Sequence, residues 1–376
     1  MKNKKIGYII FCIYLIFSLS ACMRDNVIEN DKYYLPNEEE NTIDYSEHSF
    51  SIHFIDVGQG DAALILCDDK SMLIDGGDPG AGRIIYTYLK KNNIKHLDYI
   101  VCSHADEDHI GGLAAPLTTI EVENILAPTV GADTKAYKNI LKKTESQGLT
   151  IRHPTHGEKM FFASSEIEFY GPISEWSEKR NNSSIVMKIK YGDTSFLFTG
   201  DAEREEEQEI LEEGYNLSAT VLKVGHHGSK NSTTYPFLRE IMPKYAIISV
   251  GKNSYGHPTE EVLSRLRDAG TKVYRTDMQG DIIVTSNGKS VNIMTQKNAD
   301  IQTNPTIITE KNTENSNSSS DNNTVCTYIG NTKSRKFHYI FCDSVENMNE
   351  ENKAYESCSR EEMISKGYIP CKKCNP

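Results

Sequence analysis

Positive charge is what this sequence is short of. Its 41 Lys and Arg stand against 53 Asp and Glu, for a formal net charge of −12. That deficit argues against capture of nucleic acid by the surface as a whole, because phosphate binding is driven by Lys and Arg. It leaves room for a nucleic-acid substrate at one site, where bound metal ions reverse the local field. Apolar character is also modest, at 38% hydrophobic residues and a mean hydropathy of −0.51. The apolar stretch Ile6 to Leu19 is too short for a stable membrane span. No internal repeat is present, which excludes a stacked-repeat architecture. Cysteine is absent between Cys102 and Cys326. Cys67 and Cys102 sit in apolar strand-like runs and read as small buried residues, whereas Cys326, Cys342, Cys358, Cys371 and Cys374 cluster at the C-terminal end.

What is present divides the chain into five parts. Lys2, Lys4 and Lys5 precede the apolar stretch, which ends in Leu19-Ser20-Ala21-Cys22. This resembles the lipobox of bacterial lipoproteins and implies a signal peptide over 1–21, lipidation at Cys22 and a lipid anchor on the extracytoplasmic face of the membrane. An uncleaved N-terminal anchor helix is the alternative. Residues 22–48, with Pro36 and Glu38-Glu39-Glu40, read as an acidic tether. Residues 49–295 alternate short apolar strands with amphipathic helices. Strands are expected at Phe50–Val57, Ala62–Cys67, Ser71–Ile74, Tyr99–Ser103, Ile167–Tyr170, Ile185–Tyr191, Ser195–Thr199, Val221–Val224, Tyr245–Ser249, Lys272–Tyr274, Asp281–Thr285 and Val291–Met294, and helices at Ala81–Asn92, Thr134–Gln147, Ala202–Glu213, Thr234–Met242 and Thr259–Ala269. Many strands with a few intervening helices predict two sheets with helices outside. Residues 296–324, rich in Asn, Ser and Thr, read as a flexible linker, and 325–376 as a compact cysteine-containing domain.

The densest chemistry lies in Ser103-His104-Ala105-Asp106-Glu107-Asp108-His109-Ile110-Gly111-Gly112, just past an apolar strand. Four imidazole and carboxylate groups, His104, Asp106, Asp108 and His109, fall within six residues. Such donors suit a borderline divalent ion. The design repeats after other strands: Thr199-Gly200-Asp201, Gly225-His226-His227-Gly228-Ser229 and Tyr255-Gly256-His257-Pro258. One histidine in such a place is usually structural; four such places reverse the odds.

With Phe54-Ile55-Asp56-Val57-Gly58-Gln59-Gly60-Asp61-Ala62 and Ile74-Asp75-Gly76-Gly77, these segments resemble the metallo-β-lactamase fold family, and within it the extracytoplasmic hydrolase domain of the ComEC/Rec2 competence proteins. The resemblance implies an α/β fold, an αββα sandwich with a two-metal site at one edge. It implies that His104 and Asp106 hold the first ion, that Asp108 and His109 hold the second, and that Asp201 bridges both. One of His226 and His227, with His226 preferred, would complete the second site. The family's second histidine is Asp106 here, a substitution typical of the ComEC-like group. Its further histidine on the first ion has no counterpart, since that place reads Arg180-Asn181-Asn182-Ser183-Ser184. His257 could fill it as a ligand, or Asn182 could hold a water or the substrate. Asp75 either orients a ligand imidazole or caps the Gly76-Gly77 turn. Asp56, Gln59 and Asp61 frame a glycine-rich turn.

Two ions roughly 3.5–4 Å apart can share a hydroxide and bring its pKa toward neutrality, so no Ser or Cys nucleophile is required. The catalytic residues expected are Asp108, Asp201 and the uncoordinated histidine of the pair, His227, acting with Ser229 on a phosphate or leaving group. Three Asp among the ligands keep manganese open beside zinc. At the C-terminus, His338-x3-Cys342 and Cys371-x2-Cys374 form a metal-clip pattern in a segment too small to fold comfortably without a staple. It resembles the small metal-binding domain of the Ada DNA-repair family, with His338 in place of a Cys, and implies one structural zinc. A disulfide framework is the alternative in an oxidising compartment. The resemblances together imply a membrane-tethered hydrolase of phosphodiester bonds, DNA being the expected partner. Another surface phosphoester, or a non-catalytic DNA-binding lipoprotein, are the alternatives.

Overall fold

A computed structural model describes residues 49–305, 326–339, 342–346, 348–358 and 360–372. The expected signal peptide, Cys22 and the acidic tether lie outside the described residues, as do Cys374 and residues 306–324 of the expected linker. Among the described residues no helix is long and apolar enough to cross a membrane.

In chain order the main elements of the large domain are β1 (Phe50–Phe54), β2 (Ala63–Cys67), β3 (Lys70–Ile74), α1 (Gly82–Lys91), β4 (His96–Val101), β5 (Glu121–Leu126), α2 (Lys135–Ser146), β6 (Ile151–Arg152), β7 (Lys159–Phe162), β8 (Ser165–Gly171), β9 (Val186–Tyr191), β10 (Thr194–Phe198), α3 (Arg204–Glu212), β11 (Val221–Lys223), α4 (Tyr235–Ile241), β12 (Tyr245–Ile248), α5 (Glu260–Asp268), β13 (Lys272–Arg275), β14 (Ile282–Ser286) and β15 (Val291–Thr295). They form an eight-stranded sheet, β15-β14-β1-β2-β3-β4-β5-β6, and a seven-stranded sheet, β13-β12-β11-β10-β9-β8-β7.

The period-two alternation of apolar residues explains the layering. Phe50, Ile52 and Phe54 of β1 share one core with Met187, Ile189 and Tyr191 of β9 and Phe196 and Phe198 of β10. Phe50 stacks between Tyr191 and Phe196, with ring centroids 4.8 and 4.9 Å away. Burying each of these large side chains contributes roughly 1.5–3 kcal/mol. Val186 and Leu197 point the other way, onto Ile210 of α3, Phe237 and Leu238 of α4 and Leu266 of α5. Leu64, Leu73 and Ile100 pack on Ile85 and Leu89 of α1 and Ile140 of α2. The result is the expected αββα sandwich.

Every expected strand and helix of this domain is present, with ends shifted by a few residues. Strands β5, β6 and β7 escaped the sequence reading. In β5, Glu121, Glu123 and Asn124 are exposed between buried Val122, Ile125 and Leu126, which hides the alternation. The domain also runs past residue 295. Thr303 Oγ1 donates to Val273 O at 2.5 Å and Asn304 Nδ2 to Leu263 O at 2.9 Å. The polar residues that suggested a linker here satisfy backbone carbonyls of β13 and α5.

Helix α3 carries two buried carboxylates that tie it to its neighbours. Glu207 accepts from the backbone N–H groups of Thr233 and Thr234 at the start of α4. Glu206 accepts from Ile173 N at 2.9 Å and Trp176 Nε1 at 2.7 Å. Burial pushes Glu206 up to about 7 against these hydrogen bonds. The folded state therefore holds a proton that the unfolded chain has released. The contribution is full below the unfolded value near 4.5 and is lost as pH rises toward 7, on the order of 3 kcal/mol. Glu206→Gln should flatten the pH dependence of the urea midpoint between pH 5 and 7. An unchanged slope would remove Glu206 from this account.

The C-terminal domain has a four-stranded sheet of its own, in the order β18 (Lys353–Cys358), β16 (Cys326–Asn331), β17 (Lys336–Tyr339), β19 (Ile369–Pro370). Successive residues Tyr328 and Ile329 enter separate cores on its two faces. His338, Cys342 and Cys371 converge, all buried, with His338 Nδ1 3.4 Å from Cys342 Sγ. Cys358 is a free thiol.

Candidate metal centre

Strand geometry brings the ligand types to one edge of the sandwich. Parallel neighbours align their C-terminal ends, and β3-β4 and β10-β11-β12 are parallel sets. Asp75 follows β3, His104 follows β4, Asp201 follows β10, the His226-His227 pair follows β11 and His257 follows β12. Asp108 and His109 ride on a single helical turn, Glu107–Ile110. Gly200 takes a φ of +49° and turns Asp201 inward. A Cβ there would lie 2.8 Å from Ser184 Oγ and 3.1 Å from Ser103 Cβ. His226 and His227 are both left-handed, with φ of 50° and 53°. That conformation costs a non-glycine residue roughly 1–2 kcal/mol, strain of the kind that collects at functional sites.

Asp201 is the hub. Its Oδ1 lies 3.1 Å from His109 Nε2, and its Oδ2 lies 3.6 Å from His226 Nε2 and 3.7 Å from His227 Nε2. His227 Nε2 is 3.4 Å from Asp108 Oδ2, and His104 Nε2 is 3.9 Å from Asp106 Oδ2. Converging donor sets include His104–His109–Asp201 and Asp108–His109–His227. His104 Nε2, His109 Nε2, His227 Nε2 and Asp201 Oδ1 are buried with no hydrogen-bond partner. Each such atom costs roughly 1–3 kcal/mol if left unmade. His104, His109 and Asp201 meet in one donor set and His109 and His227 in another, an arrangement that fits bound divalent cations.

Behind these donors lies a layer that aims them. Asp75 accepts from Ser103 N at 2.8 Å and Ser103 Oγ at 2.6 Å, and its Oδ2 is 2.9 Å from His109 Nδ1. His227 Nδ1 is 2.9 Å from Ser249 O and 3.3 Å from Asp61 Oδ1. Asp61 is itself paired with Lys223 at 2.7 Å, both buried. Burial pushes His109 down, but Asp201 and Asp75 raise it well above its ordinary value. Burial likewise opposes His227, which Asp201 and Asp61 raise to about 10. Asp201 is drawn well below the carboxylate range by His109 and His227, against its burial.

The geometry reorders several expectations. Sequence favoured His226 for the set with Asp108 and His109. His227 shares that set, because its Nδ1 is fixed from behind by Ser249 and Asp61 while His226 Nδ1 faces Glu203 at 3.3 Å. Asn182, expected near a water or the substrate, is fully buried and turned away, with Oδ1 on Glu203 N at 2.8 Å and Nδ2 on Glu205 at 3.2 Å. Ser229 Oγ accepts from Asn231 N at 3.3 Å, a loop contact. His257 stands beside His226, ring centroids 5.4 Å apart, with Nδ1 buried and without a partner. Burial, then His226 and His227, lower it to about 4. Asp75 Oδ2 stands 2.9 Å from His109 Nδ1. Lys223, Glu203 and Arg180 were missed as neighbours of the centre. Lys223 reads as an ordinary strand residue in Leu222-Lys223-Val224, and only its burial marks it.

Such an αββα sandwich, with His and Asp donors gathered at one edge, defines a metallo-β-lactamase-type protein. The sequence matches the Metallo-beta-lactamase superfamily over residues 55–252, more than half of the chain, and the protein belongs to that superfamily. Within it, the chain is similar to ComE operon protein 3 of Bacillus subtilis (strain 168), 32% identical over 250 residues that cover 61% of this chain and 32% of that protein. Competence protein ComA of Neisseria gonorrhoeae is 31% identical over 237 residues, covering 62% and 32%. Recombination protein 2 of Haemophilus influenzae is 31% identical over 249 residues, covering 64% and 29%. The chain spans about a third of the length of these relatives.

Proposed function

We propose that this protein is a metal-dependent phosphodiesterase acting on DNA at the cell surface, held there by a lipid on Cys22. The observation that carries the hydrolase reading is the convergence of buried, unpartnered donors on Asp201. The competence relatives support DNA as substrate. His104, Asp106 and Asp201 would hold one ion, and Asp108, His109, His227 and Asp201 the other, with zinc and manganese both suited to this mixed set. Bound there, two divalent ions supply water activation near neutral pH and neutralise charge on a phosphoryl oxygen.

The chain's own residues do the rest. Asp75 and the Ser249 carbonyl hold His109 and His227 by their Nδ1 atoms, leaving Nε2 directed at the centre. His226 is left for proton work. Burial lowers it, but Asp201 and Glu203 keep it above its ordinary value. With Nδ1 against Glu203, Nε2 can hold a proton for a leaving oxygen. His257, neutral beside it, lines the same side. In the C-terminal domain His338, Cys342 and Cys371, with Cys374 as fourth ligand, would hold one structural zinc.

The test is turnover by the purified full chain of single-stranded DNA, double-stranded DNA and bis-p-nitrophenyl phosphate, with manganese or zinc added. Cleavage of DNA is expected. Turnover of the small diester alone points instead to another surface phosphoester. DNA binding without cleavage under either metal, unchanged in Asp108→Ala, would make this a binding protein.

A further inference from the structure

The wall of this centre is acidic. Asp106, Asp108, Asp201 and Glu203 surround it, on a chain already at −12. A phosphodiester is an anion, and a cation of the protein's own at the mouth would bind it beside the metals. The nearby Lys179 is engaged with Glu205. Arg180 is different. Its Nε donates to Asp106 Oδ1 at 2.7 Å, and its Nη1 and Nη2 have no hydrogen-bond partner among the described residues. Its side chain remains 42% exposed.

The arm that carries it is rigid. Residues Arg180–Ser183 form one 3-10 turn. Ser183 Oγ donates to Arg180 O at 2.6 Å, and Asn182 N donates to Lys179 O at 2.9 Å. Buried Asn182 bolts the turn to residues 203–205. Asp106, meanwhile, divides its two oxygens: Oδ1 takes Arg180, while Oδ2 faces His104 Nε2 at 3.9 Å.

We propose that Arg180 is the anion-recognition residue of this site. Anchored through Nε to Asp106, it presents its Nη1/Nη2 fork to two oxygens of a phosphoryl group. Guanidinium matches phosphate by paired N–H donors, and the anchor removes much of the side-chain freedom that binding would otherwise cost. Arg180 occupies the segment in which the family's further histidine is missing. The site thus meets its substrate with a fixed organic cation on that side. This rests on the phosphodiester reading above and names the residue that would recognise the substrate's charge.

The experiment is calorimetric titration of the metal-loaded full chain with inorganic phosphate, for wild type, Arg180→Met and Arg180→Lys, with bound metal counted by mass spectrometry. Arg180→Met should weaken phosphate binding by about 10- to 100-fold with metal content unchanged. Arg180→Lys should recover only part of the loss, because an ammonium keeps the charge and not the fork. KM for bis-p-nitrophenyl phosphate should follow the same order, with kcat moving less. Unchanged phosphate affinity in Arg180→Met overturns the proposal. So does full recovery in Arg180→Lys, or loss of metal in Arg180→Met, which would reduce Arg180 to a support for Asp106. If wild type binds phosphate through Arg180 yet hydrolyses no diester, the inference stands and the phosphodiesterase reading fails.

Discussion

Asp201→Ala is expected to empty the metal centre and to lower turnover by at least about 1,000-fold. Three imidazole nitrogens, His109 Nε2, His226 Nε2 and His227 Nε2, lie within 3.1 to 3.7 Å of this one carboxylate. No other carboxylate of the described residues touches all three. Without it the imidazoles lose the anion that favours their shared occupancy of one cavity. Loss of a residue that merely orients a metal ligand costs about 10–100-fold in affinity, and loss of a single transition-state donor costs about 100–1,000-fold in rate. A shared ligand combines both. Mass-spectrometric metal counts and kcat, set beside thermal unfolding to confirm the fold, check this. A variant that keeps its full metal complement would show that Asp201 is not the shared ligand.

The second large effect is on stability. Lys223→Met should destabilise the large domain by about 3–5 kcal/mol, the cost of removing one partner from a buried ion pair. Lys223 and Asp61 side chains are 4% and 8% exposed, and the pair is closed at 2.7 Å. Lys223 Nζ also donates to Val224 O at 2.9 Å. Burial pushes the Asp61 carboxyl up, but Lys223 and then His227 hold it well below the carboxylate range, so the pair persists at neutral pH. Losing the ammonium deprives the buried carboxylate of its nearest cation, with His227 left beside it. The double variant Lys223→Met with Asp61→Asn should regain most of the loss, because a neutral pair leaves no uncompensated charge. Denaturant unfolding of the four-member cycle measures the coupling directly. A single variant costing less than about 1 kcal/mol, with no gain in the double, would leave the pair without a structural role.

Much of this protein was legible in its sequence. Phe50, Ile52 and Phe54, or Phe196 and Phe198 around Leu197, announce strands by alternation, and the inner and outer faces of the sandwich follow from it. The short strands resisted because charge interrupts the pattern, as Glu121 and Glu123 do in β5. The donors of the centre were legible too, because His104, Asp106, Asp108 and His109 are neighbours in the chain and Asp201 and the histidine pair each end a strand.

What the chain order could not determine is how those donors are shared. Adjacent residues His226 and His227 are chemically alike. Their difference comes from Ser249 and Asp61 behind one and Glu203 beside the other. Arg180 meets Asp106 across 74 positions, and Lys223 meets Asp61 from the opposite sheet. Residue type and spacing thus point to a candidate metal centre at one edge of the sandwich. Which imidazole enters it, and which cation stands beside each carboxylate, depend on the direction and burial of side chains from distant strands. Those are set only when the two sheets close on each other, because a charge finds its partner by distance in space and dielectric, and neither is a property of the linear chain.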